Sequence, residues 1–491
     1  MAVYRIIIIL FILSLTGCAV GPDFQRPTAP TVDGYTQQPL PAQTASVEVK
    51  GGEAQRFVKD MDIPGQWWTL FHSKPLNDLI EQSLKANPDL ESAQAALRVA
   101  RENVYAQQGA FSPSVEANFN PTRQKTAGVL TSPLANSNYT YSLHTAQVAV
   151  AYVPDVFGGN RRQVESLKAQ ADSQRFQLEA TYLTLTSNVV TAALQEAALR
   201  GQIAATRRII DIQSKSLELL KRQYELGQIA TGDVVAQEAA LAQVQAMLPP
   251  LEKQLAQQRD LLARLAGRFP SESLVEEFEL SALQLPHELP VSLPSKLVEQ
   301  RPDVRSAEEQ LHAASAEIGV SIANRLPNIT LSASAGSSAT AISQLFMPGT
   351  GFWALAANIT QPIFQGGTLL HRQRAAEAAY DQAAAQYSSV VLTAFQNVAD
   401  TLHAIQSDSD ALKAAAAAER AADKSLSIVR QQLELGDVSY LALLNAEQTY
   451  QQAIISLVQT LDNRYTDTAA LFQALGGGWW NRSDVPSGVG E

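Results

Sequence analysis

The chain has 491 residues, 46% of them apolar, which is enough for two or three ordinary domains with a substantial buried core. A formal net charge of −11, a sequence pI of about 5.2 and no dense Lys/Arg cluster exclude the electrostatic footprint of a nucleic-acid binder. With one cysteine, disulfides within the chain and cysteine-based metal sites are excluded as well.

The chain starts MAVYRIIIILFILSLTGC, with one Arg, an apolar run from Ile6 to Leu15, then small residues and Cys18. This pattern predicts a secretory signal over residues 1–17, too short and too poorly flanked to span a membrane. Leu15-Thr16-Gly17-Cys18 resembles the bacterial lipobox, which implies cleavage before Cys18 and acylation of its thiol and new amino group. Residues 18–60 then read as a lipid-anchored extended segment, rich in Pro, Thr and Gln. Past Cys18 no window of eighteen residues is both apolar and free of charge, so any crossing of a membrane must use β-strands.

Self-comparison finds one unit twice. "NPDLESAQAAL" from Asn87 returns as "RPDVRSAEEQL" from Arg301, Pro113-Ser114-Val115 returns as Pro327-Asn328-Ile329, and Gly158-Gly159 returns as Gly366-Gly367. "YELGQIATGDVVAQE" from Tyr224 is echoed by "LELGDVSYLALLNAE" from Leu433. Four landmarks in one order define a tandem duplication: a first repeat over residues 61–266 and a second over 295–476, joined by a proline-spaced linker, 267–294, and followed by a tail, 477–491.

In chain order, each repeat opens with a helix, about Pro88 to Gln108 and about Pro302 to Asn324, with Pro in the first turn where its missing N–H costs nothing. A β-hairpin follows, about 113–153 and about 327–362. Val115, Ala117 and Phe119 alternate with Glu116, Asn118 and Asn120; Ala146, Val148, Val150 and Tyr152 form the returning set. In the second copy Ile329, Leu331, Ala333 and Ala335 alternate with Ser and Thr, and Trp353, Leu355, Ala357 and Ile359 return. Such alternation suits a transmembrane barrel strand and equally a soluble hairpin on a core; Tyr139, Tyr141, Phe346, Phe352 and Trp353 near the loop ends suggest an interfacial aromatic belt.

Long helical hairpins complete each repeat, about 160–266 and about 368–475. Their outgoing helices have no internal Pro and would each reach on the order of 100 Å. Val391, Phe395, Val398, Leu402, Ile405, Ser409 and Leu412 step 4, 3, 4, 3, as do Leu178, Tyr182, Leu185, Val189 and Ala192, which predicts lengthwise helix packing. Each helix is expected to stop at Glu-Leu-Gly, with Gly227 and Gly436 in the left-handed position, and to resume after Thr231 or Asp233 and after Ser439 as caps. Glu225, Asp233, Glu434, Asp437 and Glu447 are expected to make these turns acidic.

Four strands cannot close a barrel, so several chains must pool theirs. "CAVGPDFQRP", "WWTLF", "PLNDLI", "NPDL", the duplicated unit, the two ELG turns and "ALGGGWW" together resemble the outer-membrane factors of tripartite efflux pumps, the TolC-like channels, and among them the lipoprotein OprM/NodT branch. The resemblance spans Cys18 to about Trp480. It implies a mainly α fold with a β-barrel portion: a homotrimer whose twelve strands form one outer-membrane barrel continuous with a periplasmic α-barrel. It further implies passive export of drugs or other small toxic compounds, in partnership with a periplasmic adaptor and an inner-membrane transporter of RND type.

By that resemblance Glu225, Leu226, Gly227, Asp233, Glu434, Leu435, Gly436 and Asp437 would form the periplasmic tips where the adaptor docks. Leu441, Asn445 and Gln448 would constrict the pore, with Asn445 where relatives often carry Asp and Gln448 where some carry Arg. No cofactor is expected. Six scattered histidines without ligand spacing, and the absence of a nucleophile motif or phosphate loop, argue against an enzyme. Metal-ion efflux, type I secretion and a pore-less envelope lipoprotein remain the alternative readings.

Overall fold

A helix of 67 residues followed by one of 35 occurs twice, once in each copy. The computed structural model describes residues 19–125, 127, 140–272 and 276–482; the signal peptide, Cys18, Tyr139 and the end of the tail lie outside them. The element order is β1 (Arg56–Lys59), α1 (Lys74–Ala86), α2 (Pro88–Gln108), β2 (Ser114–Lys125), β3 (Thr140–Tyr152), α3 (Gly159–Glu225) and α4 (Thr231–Leu265). It continues with β4 (Glu288–Val291), α5 (Pro294–Gln300), α6 (Pro302–Ala323), β5 (Asn328–Ala339), β6 (Gly351–Thr360), α7 (Thr368–Glu434) and α8 (Tyr440–Ala474). Contacts divide the chain into two compact units that cut across the repeats, because each copy supplies segments to both.

One unit comprises Met1–Pro27, Ala96–Gln174 and Ala307–Tyr387. Its antiparallel sheet runs β2-β3-β5-β6, so β3 of the first copy pairs with β5 of the second. The ladders place every apolar position of the alternation on one face: Val115 opposite Val150, Val150 opposite Ala333, Ala333 opposite Leu355. The other face carries Asn118 opposite Gln147, and Thr145 opposite Ser338. Trp353 and Leu355 on the apolar face are 75% and 74% exposed, an unpartnered hydrophobic surface that a soluble hairpin would have buried. The aromatic-belt expectation divides here. Trp353 lies on the apolar face, whereas register puts Tyr141 and Phe352 on the polar one, since side-chain direction follows parity rather than nearness to a loop.

In the same unit the segment after Cys18 is bound rather than loose. Arg162, buried, donates to the carbonyl of Val20 and to Asp23 at 2.6 Å; Phe24 stacks on His312 at 4.3 Å; Arg26 pairs with Glu308. His312 faces Glu165 through Nε2 at 3.1 Å and Glu309 through Nδ1 at 3.4 Å, and these carboxylates hold its pKa above the usual imidazole value.

The other unit comprises Thr28–Ala95, Arg175–Ser306 and Ser388–Glu491. β1 and β4 pair in parallel, and Trp67, Trp68 and Phe71 of "WWTLF" are buried with Phe472 and Tyr465. Fully buried Arg464 of α8 ties down residues 44–55 through Thr44, Glu53 and Gln55. The "NPDL" motif caps α2: Asn87 accepts from the backbone N–H groups of Asp89 and Leu90 and donates to Leu265 O at the end of α4. Its counterpart Arg301 donates to Ala474 O, at the end of α8.

Of the expected heptad side chains, Val391, Val398, Leu402, Ile405, Ser409 and Leu412 are buried in this unit and Phe395 is half-buried. On α3 the stripe is broader than the heptad, with Leu183, Val190 and Leu194 buried beside Leu185 and Val189. Return helix α4 carries Pro249 and Pro250 internally, where α8, of equal length, has none.

Candidate channel entrance

Both Glu-Leu-Gly turns adopt the same geometry. Gly227 and Gly436 have φ of +73° and +80°, a conformation that favours glycine. The N–H of Gly227 reaches Tyr224 O and that of Gln228 reaches Gln223 O; Gly436 reaches Leu433 O and Asp437 reaches Gln432 O. These paired bonds are the Schellman arrangement, which satisfies carbonyls a helix end would otherwise leave open. The first cap differs from expectation and the second falls where expected. Ala230 is the N-cap of α4, with Thr231 and Asp233 inside its first turn, and Ser439 is the N-cap of α8 without a side-chain capping bond.

The two turns share one core. Leu220 of α3, Val234 of α4, Leu426 of α7 and Tyr440, Leu443 and Tyr450 of α8 are buried together, with Ile229 and Leu433 against them. Glu225, Leu226, Gly227, Glu434, Leu435, Gly436 and Asp437 are exposed and Asp233 is half-buried. Leu226 and Leu435, at 68% and 77%, are among the most exposed large apolar side chains. Leu441, Asn445 and Gln448 step i, i+4, i+7 along α8 and share one exposed face, while Leu443, Ala446 and Glu447 are buried.

Glu447 departs from expectation. It is 2% exposed and faces Arg430 of α7 at 3.5 Å and the Ser216 hydroxyl of α3, so it belongs to the bundle interior rather than the acidic surface; burial raises its pKa. Sequence reasoning also missed a buried relay. Tyr440 donates to Gln237 Oε1 at 2.6 Å, and Gln237 Nε2 donates to Gln213 O at 2.9 Å, joining α8, α4 and α3. The signal available was a Gln embedded in the apolar stripe of α4, three residues after Val234.

These features define a TolC-like outer-membrane channel: duplicated long helical hairpins, a four-stranded sheet with segregated faces, and matched turns. The solved structure of the outer-membrane channel OprN superposes with a TM-score of 0.83 at 26% identity, over 94% of this chain and all of that one. By sequence the chain is 29% identical over 470 residues to the probable efflux pump outer membrane protein TtgC of Pseudomonas putida, covering 96% of this chain and 94% of that protein. It is 28% identical to the pyoverdine export outer membrane protein OpmQ of Pseudomonas aeruginosa, covering 84% and 87%. The sequence profile described as outer membrane efflux protein matches residues 79–268 and 293–477, and the chain belongs to that family. It is thus an outer-membrane efflux component, of a family of channels that work with a periplasmic adaptor and an inner-membrane transporter.

Proposed function

We propose that three copies of this chain form a lipid-anchored trimeric conduit that passively carries small toxic organic compounds, delivered by an RND-type pump, out across the outer membrane. The supporting observation is the sheet: among the described residues β2 and β6 are edges without a strand partner, and one face gathers the apolar set, with Val115, Phe119, Val148, Trp353, Leu355 and Ile359 exposed. Three chains of four strands supply twelve, consistent with a closed barrel with lipid outside and the Asn, Gln, Ser and Thr face inside. Purified protein in mild detergent is expected to have the mass of three chains and to give ion-conducting pores in planar bilayers; a stable monomer without conductance would overturn the reading. The relatives named for toluene and antibiotic efflux favour organic cargo.

Within this reading Cys18 is the acylated anchor, and Cys18→Ser is expected to abolish incorporation of labelled palmitate. The two exposed Glu-Leu-Gly knobs dock the adaptor: each presents an apolar Leu beside a carboxylate, suited to an apolar pocket with a basic rim. Leu441, Asn445 and Gln448 narrow the entrance, and opening moves α8 against α3 and α4. Leu441→Ala combined with Asn445→Ala is expected to raise single-channel conductance; an unchanged value would remove these residues from the constriction.

A further inference from the structure

The polar face of the sheet is nearly neutral. Its ladder positions carry Ser, Thr, Asn, Gln, Ala and a few aromatic or apolar residues, and among the described residues one side chain there is formally charged, Glu116 of β2. The basic residues of the same strand, Arg123 and Lys125, have the opposite parity and lie near its far end. The ladders put Ala149 opposite Glu116, Ser334 opposite Ala149 and Ala354 opposite Ser334. Along that row every other side chain is small, so nothing in it covers or neutralises the carboxylate, and Glu116 is exposed.

A fixed charge in an otherwise neutral, water-filled tube raises the concentration of its counter-ion and lowers that of its co-ion. We propose that Glu116, one from each chain, forms a carboxylate ring in the barrel lumen that favours cationic over anionic solutes on their way out. This rests on the pooled-barrel reading above. The ring is separate from the exposed acids of the Glu-Leu-Gly turns, which belong to other elements. The field is screened within about 10 Å at 0.1 M salt and within about 3 Å at 1 M, so the preference is strong only in dilute salt.

The test is the reversal potential of reconstituted channels in a KCl gradient centred on about 0.1 M. Relative to the wild type, Glu116→Gln is expected to lower the cation-to-anion permeability ratio on the order of two- to threefold, Glu116→Lys to lower it further, and both differences to vanish near 1 M. Asn118→Cys and Val115→Cys test the face itself: a water-soluble charged thiol reagent is expected to change the current of the first and not of the second. Reversal potentials unmoved by both Glu116 substitutions, with Asn118→Cys reactive and Val115→Cys inert, would overturn the ring while leaving the barrel intact. Equal reactivity at both positions would overturn the barrel and the ring together.

Discussion

Tyr440, Gln237 and Glu447 carry the polar interior of the entrance bundle, and their chemistry sets what a substitution does there. Removing the Tyr440 hydroxyl leaves Gln237 Oε1 buried without its 2.6 Å donor. An orphaned buried acceptor costs about 1–3 kcal/mol. Tyr440→Phe is therefore expected to speed hydrogen exchange of the first turns of α4 and α8 by roughly tenfold or more while sparing the sheet; uniform exchange changes would argue against a local role. Glu447→Gln removes the charge facing Arg430 and is expected to be milder than Arg430→Ala, which strands a buried carboxylate. Comparing the two by thermal melting would check this order. The sequence made the turn residues legible because glycine and spacing encode them locally. It hid the burial of Glu447 and Gln237, because burial of a polar side chain depends on which helices meet, and one strand of text does not record that.

At the scale of elements, the two Glu-Leu-Gly turns are interchangeable in a way that can be measured. A Cβ at Gly227 or Gly436 meets nothing within 4 Å, so alanine is penalised by backbone conformation alone, at about 1–2 kcal/mol. Gly227→Ala and Gly436→Ala should fray their helix ends equally, as read by exchange at the turn amides; unequal effects would show that the surroundings matter.

A second element-scale prediction concerns α7 and α8, where Asp408 lies beside the carboxylate of Asp467. Burial, together with the neighbouring carboxylate, pushes Asp408 up to about 7, against the pull of Arg464. Because the folded pKa is raised, the stabilisation is complete below the ordinary carboxylate value, about 4, and is lost as pH rises through about 7. Exchange of this part of α7 and α8 should quicken between about pH 4 and about pH 7 in the wild type, beyond the intrinsic chemical rate, and do so clearly less in Asp408→Asn, where Asp462, pushed up to about 6 by burial, is left. The duplicated Asn-Pro-Asp and Arg-Pro-Asp motifs were legible as helix starts. Their second task, gripping Leu265 O and Ala474 O at the ends of the return helices, was not, since those carbonyls lie far along the chain.

For the molecule as a whole, alternation with period two located the strands, and the duplication gave their number. What the text left open, soluble hairpin or membrane strand, turns on whether all four apolar sets share a face, and only the pairing register decides that. A charge on the apolar face is expected to block membrane integration, at about 2–4 kcal/mol per site near mid-membrane, so Leu355→Arg should be depleted from outer-membrane fractions. Ser334→Arg, on the polar face, should not; equal depletion would argue that the faces are not distinct environments.

The pairing of β3 with β5 also sets a timetable. Val148 finds its partner Ala335 only after the first copy's helical hairpin, the linker and the start of the second copy have left the ribosome. Until then β3 has an open edge and an apolar face, the combination most prone to wrong partners. Pairing of such high contact order forms slowly. The newly made chain therefore depends on being shielded in transit, and swapping the order of the two copies in the gene should slow its maturation more than it harms the finished fold.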